Sequence, residues 1–181
     1  MIVIHQTYTL EGGTMAFRNK TYVCFDGDED MKYYRLMQAW KANDNVEFNF
    51  HDAHDLKQCR DSSNEETIKR SLRERMNNSK LLIVLVGEKT KNLFKFVRWE
   101  IETAMSLGIP IIVVNLNGSR VFDADRCPPI LKSELAIHVP FNMKIIQYAI
   151  DHWRDSHMEI FMENNTCPHN YKESIYKTLG L

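Results

Sequence analysis

The sequence predicts an α/β protein in which helices cover both faces of a parallel β-sheet. Two segments, Leu81–Val86 and 110–116, are continuous apolar runs without alternation, which is typical of strands buried on both faces. Segments with helical periodicity follow these strands, as expected for strand–helix–strand units. A chain of 181 residues is long enough for one domain with a well-buried core. We therefore expect a single domain with a five-stranded, flavodoxin-like parallel sheet flanked by helices.

The other predicted elements are located by periodicity and by start and stop signals. Residues 46–50 alternate apolar and polar side chains, which favours an edge strand. Gly108 followed by Pro110 ends the helix that begins at Phe96. The first predicted helix carries an apolar stripe of Tyr33, Leu36, Met37 and Trp40, and the second carries Ile68, Leu72 and Met76. The predicted strands are 21–25, 46–50, 81–86, 110–116 and 136–141, and further helices are expected at 31–41, 143–160 and 171–179.

The first fourteen residues of the chain differ in character from the rest. Residues 11–14 directly precede Met15, and their codons can spell a purine-rich ribosome-binding site. We expect that translation starts at Met15, so that residues 1–14 are an upstream extension and residues 15–181 form the domain with its C-terminal helices. A short disordered arm at residues 1–14 is the alternative.

Composition limits the partners of the protein. A net charge of −1 favours neither nucleic acid nor acidic membranes as partners. The apolar runs are too short to span a bilayer, and no signal-peptide pattern opens the chain, so we expect a cytoplasmic protein. The four cysteines are widely separated and lack zinc-like spacing, and we expect no metal site.

The helix after the strand Leu81–Val86 carries the strongest candidate site. Phe96 and Glu100 lie four residues apart and are therefore neighbours on one helix surface. Val97, Ile101 and Ala104 mark the packed face, so we expect the pair to lie at the border between core and solvent. An acid and an aromatic near the carboxyl end of a buried strand suggest chemistry on, or recognition of, a flat or cationic ring.

Two polar loops offer other candidates. Asp26, Asp28 and Asp30 come after the first strand and could bind a hard cation, although they lack the spacing of an EF-hand. A response-regulator receiver would need an aspartate after the third strand, where this chain has Gly87. In the loop at 51–64, histidines and aspartates, including Asp52 and His54, could be ligands or an acid–base pair, but their spacing defines no metal geometry.

The chain resembles a known family around these residues. The segment Phe96-x-x-x-Glu100 resembles the W-x-x-x-E element of TIR domains, with phenylalanine in place of tryptophan. Together with the strand ending at Gly87 and the segment 108–112, it is similar to the TIR-like proteins of the Thoeris anti-phage defence system. The likeness covers roughly residues 20–141.

The resemblance implies an NAD nucleosidase or ADP-ribosyl cyclase that makes an ADP-ribose-derived signal, linear or cyclic. It implies that Glu100 is the catalytic carboxylate and Phe96 part of the pocket wall. It places Phe25, Asp26 and the 51–61 loop, with Asp52 and His54, around the nucleotide. NAD is then a substrate and no cofactor is needed.

The same resemblance has implications for partners and alternatives. It implies a homo-oligomer held by TIR-like contacts and a downstream effector that responds to the product. The alternatives are a non-catalytic TIR-like assembly module and a nucleotide-binding regulator, because one fold supports many functions.

Overall fold

The computed structural model describes residues 20–52, 65–92 and 96–181, and these residues form a parallel sheet in the strand order β2-β1-β3-β4-β5-β6. The predicted five-stranded flavodoxin-like arrangement is confirmed, and β6 adds a two-residue strand beyond β5. The strands are β1 (Lys20–Cys24), β2 (His51–Asp52), β3 (Leu81–Val86), β4 (Ile111–Asn115), β5 (Ala136–Pro140) and β6 (His169–Asn170).

Helices cover both faces of this sheet. The helices are α1 (Met31–Lys41), α2 (Glu65–Asn77), α3 (Phe96–Ser106), α4 (Met143–Met162) and α5 (Glu173–Thr178), with short 3-10 turns at Thr90–Asn92 and Pro129–Leu131. Buried side chains of α1 and α4 pack on one face, together with Val23 of β1, whereas those of α2 and α3 pack on the other face, together with Tyr22. Neighbouring residues of β1 therefore face different helices, as the two-residue periodicity of a strand requires.

The central strands and α3 form as their sequences predict. Every residue of β3 and β4 is buried, in agreement with their apolar, non-alternating composition. Gly108 adopts a positive φ of 64° after the end of α3, and the Ile109 amide donates to the Ala104 carbonyl at 3.0 Å. This geometry ends the helix and turns the chain into β4.

The prediction of a strand at 46–50 is wrong. Phe48 and Phe50 are buried while residues 47 and 49 are exposed, so the expected alternation of burial is present. The ladder with β1, however, pairs Lys20 with His51 and Thr21 with Asp52. The strand at the edge therefore begins where the predicted strand ends, because side-chain alternation reports packing and does not locate backbone pairing.

The apolar stripe of α1 also differs from the prediction. Tyr34 and Met37 are its buried residues, and Leu36 is 42% exposed. Tyr34 stacks on Phe25 at a centroid distance of 4.7 Å, and both rings belong to the buried cluster on this face of the sheet. None of the described helices is long and apolar enough to cross a membrane.

Candidate active site

Glu100 is a buried carboxyl group between α3 and the sheet. It is only 6% exposed, and it accepts a hydrogen bond from the Tyr22 hydroxyl of β1 at 2.6 Å. Tyr22 and Cys24 lie two residues apart on β1 and pack in the same apolar cluster, together with Val97 and Ile101 of α3. Glu100 therefore lies deeper than the predicted border between core and solvent.

Burial sets the protonation of this carboxyl group. The pKa of Glu100 is raised from 4.5 to about 7 because burial removes the carboxyl group from water. Hydrogen bonds from Cys24 and Tyr22 oppose this rise and keep it smaller than burial alone would make it. The pKa values of Tyr22 and Cys24 are raised, chiefly by burial and then by the nearby Glu100 carboxylate, so both groups stay protonated and act as donors. Near neutral pH, Glu100 therefore exists in both protonation states.

Phe96 and Glu100 are on the same helix, as predicted. Phe96 is half-buried at the first residue of α3, one turn before the buried Glu100. Phe25 comes directly after β1, is 9% exposed and belongs to the cluster on the α1 and α4 face. The sheet therefore separates the side chains of Phe25 and Glu100.

Hydrogen bonds within the acidic loop after β1 stabilise its conformation. Asp26 is buried, and its Oδ1 atom accepts hydrogen bonds from the amides of Asp28 at 3.0 Å and Glu29 at 3.4 Å. Asp30 is also buried, and burial together with the charge of Asp26 raises its pKa to about 6. Its Oδ2 atom accepts a hydrogen bond from the Thr90 hydroxyl at 3.4 Å.

A small polar cleft lies at the carboxyl ends of β1, β3 and β4, with a volume of about 180 Å³. After β1 the chain crosses to β2 on one side of the sheet, whereas after β3 it crosses to β4 on the other side. Open α/β sheets bind ligands at such topological switch points. An ion pair between Lys89 and Glu29 crosses the cleft. Its lining is Glu29, Asp30, Lys32, Tyr33, Gly87, Glu88, Lys89, Leu116 and Arg126, which includes neither Phe96 nor Glu100.

Two predicted site residues lie at or beyond the limits of the described structure. Asp52 is the last residue of β2, and its backbone pairs with Thr21 of β1. His54 lies outside the described residues, as does most of its loop. Within the described ranges, no group of three or more His, Cys, Asp or Glu side chains could hold a metal ion.

Sequence reasoning missed Tyr22 and Cys24 as the partners of Glu100. Their spacing of two residues on a predicted strand places them on one face of the sheet. The missing information was which face α3 covers. A buried glutamate also needs a donor, and a tyrosine on the facing strand is a suitable one.

The parallel sheet with helices on both faces and a buried acid on α3 defines an α/β domain of the flavodoxin-like class. Comparison with protein families identifies the particular family, because the model of the Thoeris protein ThsB, TIR-like domain, matches residues 22–121. This match spans more than half of the 181 residues and includes β3, α3 and β4 with most of β1. The chain belongs to the Thoeris ThsB TIR-like domain family and is a defence-related TIR-like domain.

Proposed function

We propose that this chain cleaves the nicotinamide–ribose bond of NAD and releases an ADP-ribose-derived signal, linear or cyclic, in anti-phage defence. The observation that carries the proposal is Glu100, a buried carboxyl group hydrogen-bonded by Tyr22 in a domain of this family. Buried acids with a strongly shifted pKa are concentrated at functional sites. The proposal needs no metal or cofactor.

The chemistry suits a single carboxylate. Nicotinamide leaves as a neutral molecule, so little acid catalysis is required, while the ribose acquires oxocarbenium character as in glycoside hydrolysis. An ionised Glu100 would stabilise this positive charge, and the contribution is larger where water is excluded. Ionisation is available near neutral pH because the pKa of Glu100 is about 7.

Substrate contacts are part of the same proposal. We assign Phe96 to the pocket wall, where a flat apolar ring would pack against the nicotinamide. Phe25, Asp26, Asp52 and His54 would surround the rest of the nucleotide. Because Glu100 is only 6% exposed, the reacting ribose would reach it after a local opening, which substrate binding or assembly of several copies would trigger.

Nicotinamide release from NAD tests the proposal directly. Purified protein, Glu100→Gln and Glu102→Gln are each incubated with NAD, alone and with infected-cell lysate, and nicotinamide is measured by chromatography. Glu102 is the matched control because it lies on the same helix but is exposed and paired with Arg98 at 2.8 Å. We expect release by the wild type and by Glu102→Gln, and none by Glu100→Gln. Equal release by all three proteins would dismiss the role of Glu100.

One observation favours a second candidate, a non-catalytic assembly module. Met158, Phe161 and Met162 lie on one side of the last turns of α4 and are 54%, 61% and 74% exposed. Clustered exposed apolar side chains of this kind mark protein contacts. Absence of nicotinamide release under all conditions, together with self-association that Phe161→Ser abolishes and Glu159→Ser does not, would favour this candidate.

A further inference from the structure

A side-chain hydrogen bond between the Tyr22 hydroxyl and the Glu100 carboxyl joins β1 to α3, with an O–O distance of 2.6 Å. Tyr22 is 0% exposed and Glu100 is 6% exposed, so water competes little for the hydrogen bonds of either group. A short hydrogen bond to a carboxylate in an apolar setting is of the strong, charge-assisted kind.

A second donor near Glu100 is the Cys24 thiol, which forms a less specific contact. The Cys24 thiol hydrogen-bonds to Glu100, yet its sulfur atom also lies 4.0 Å from the Val97 carbonyl oxygen. A thiol has one proton and is a weak donor, so it can serve only one of these acceptors at a time. Tyr22 is therefore the stronger and more specific partner of the carboxyl group.

Few charged groups in the described part of the chain act on Tyr22 and Glu100. Tyr22 and Cys24 face Glu100 from β1. The positive charge of Arg75 on α2 acts on Tyr22 and offsets a small part of the rise in the Tyr22 pKa. No cation among the described residues contributes to the pKa of Glu100. The ionised carboxylate thus depends on hydrogen bonding for its stabilisation.

We propose that Tyr22 is the positioning residue of the candidate active site, whose hydroxyl fixes the orientation of the Glu100 carboxyl and favours its ionised form. The inference deepens the proposed function, on which its catalytic part rests. Removal of the hydroxyl would leave the aromatic ring in its apolar cluster, and the Cys24 thiol would remain as the hydrogen-bond donor to the carboxylate among the described residues. Glu100 would then ionise at a higher pH, and its carboxyl group would be free to rotate.

The test compares Tyr22→Phe with Tyr176→Phe. Tyr176 is the matched control because it is equally buried, at 1% exposed, lies on the opposite face of the sheet, and its hydroxyl has no hydrogen-bond partner in the described structure. The first readout is the titration of Glu100, monitored by NMR of carboxyl-labelled glutamate without NAD and assigned with Glu100→Gln. We expect Tyr22→Phe to raise the midpoint by about one pH unit and Tyr176→Phe to leave it unchanged.

The second readout is NAD cleavage. We expect Tyr22→Phe to move the rising limb of the pH–kcat profile upward by the same amount as the titration, with KM little changed. An unchanged Glu100 midpoint in folded Tyr22→Phe would overturn the inference. A shifted midpoint without nicotinamide release by any variant would uphold the contact and overturn the catalytic proposal instead.

Discussion

The backbone of Gly87 lies against the carboxyl group of Asp30, so closely that a Cβ atom at position 87 would lie 2.6 Å from Asp30 Oδ1. Gly87 comes directly after β3 and Asp30 precedes α1, so this contact joins two elements at the switch point of the sheet. The Gly87 amide in turn donates to the Thr90 hydroxyl oxygen at 2.8 Å. Glycine is favoured at position 87 because any larger residue would force the Asp30 carboxyl group to move.

Gly87→Ala should therefore destabilise the protein by roughly 1–3 kcal/mol, the usual range for overpacking of a buried site. The free energy of unfolding in urea measures the loss. In an Asp30→Ala background the clash disappears, and the same substitution at position 87 should have a much smaller effect. An equal loss in both backgrounds would contradict the assigned contact.

Glu100→Gln should stabilise the protein at alkaline pH. The folded pKa of Glu100, about 7, lies above the ordinary value of 4.5, so the folded state binds the proton more tightly than the unfolded state. The contribution of the protonated carboxyl is fully present below pH 4.5 and is lost as the pH rises through 7. Glutamine mimics the protonated form and still accepts from Tyr22. The stability difference between variant and wild type should grow by about 3 kcal/mol between these pH values.

Urea denaturation at pH 5 and pH 8 measures this difference. Glu102→Gln is the comparison. Because Glu102 is an exposed carboxylate on the same helix, its substitution should change the free energy of unfolding by a similar amount at both pH values. A stability difference for Glu100→Gln that stays constant across this pH range would show that the carboxyl group titrates normally in the folded protein.

His138 should make the protein sensitive to acid. It lies in β5, is 0% exposed, and neither ring nitrogen has a hydrogen-bond partner in the described part of the chain. Its ring meets Phe122 edge-on at 5.2 Å. Burial lowers its pKa from 6.5 to about 4, although the nearby Asp123 charge opposes this. Stability is therefore present above pH 6.5 and is lost as the pH falls toward 4, by up to about 3 kcal/mol.

His138→Leu removes the group that must charge on acidification. We expect the variant to be at least as stable as the wild type at pH 7, because it removes two unpaired buried nitrogens, and to lose less stability at pH 4. Thermal melting across this pH range provides the measurement. Parallel pH dependence of the two proteins would show that other groups cause the acid sensitivity.

The strands β3 and β4 and the helix α3 could be predicted because the signals for them lie within short segments of the chain. An apolar run flanked by polar turns predicts a buried strand, and Gly108 before Pro110 predicts the helix end. The spacing of Phe96 and Glu100, with the family resemblance, made Glu100 the candidate for the site. These features depend on residues close together in the chain.

The partners of Glu100 could not be predicted in the same way. Tyr22 lies 78 residues from Glu100 in the chain, so their contact depends on the strand order and on which face α3 covers. The contact of Asp30 with Gly87 has the same origin, since it forms only when β1 and β3 are neighbours. For β2, burial alternates at 46–50 while backbone pairing begins at His51, because pairing depends on the register with β1.

NAD cleavage should increase as the pH rises through 7. The reaction requires the ionised form of Glu100, and with a pKa of about 7 the ionised fraction rises roughly tenfold between pH 6 and pH 8. Initial rates of nicotinamide release at saturating NAD measure this change. A flat profile in a protein that does release nicotinamide would mean that Glu100 is already ionised at pH 6 when the substrate is bound. Water or a substrate hydroxyl would then reach the carboxyl group in the complex, because only better solvation or a further donor lowers its pKa.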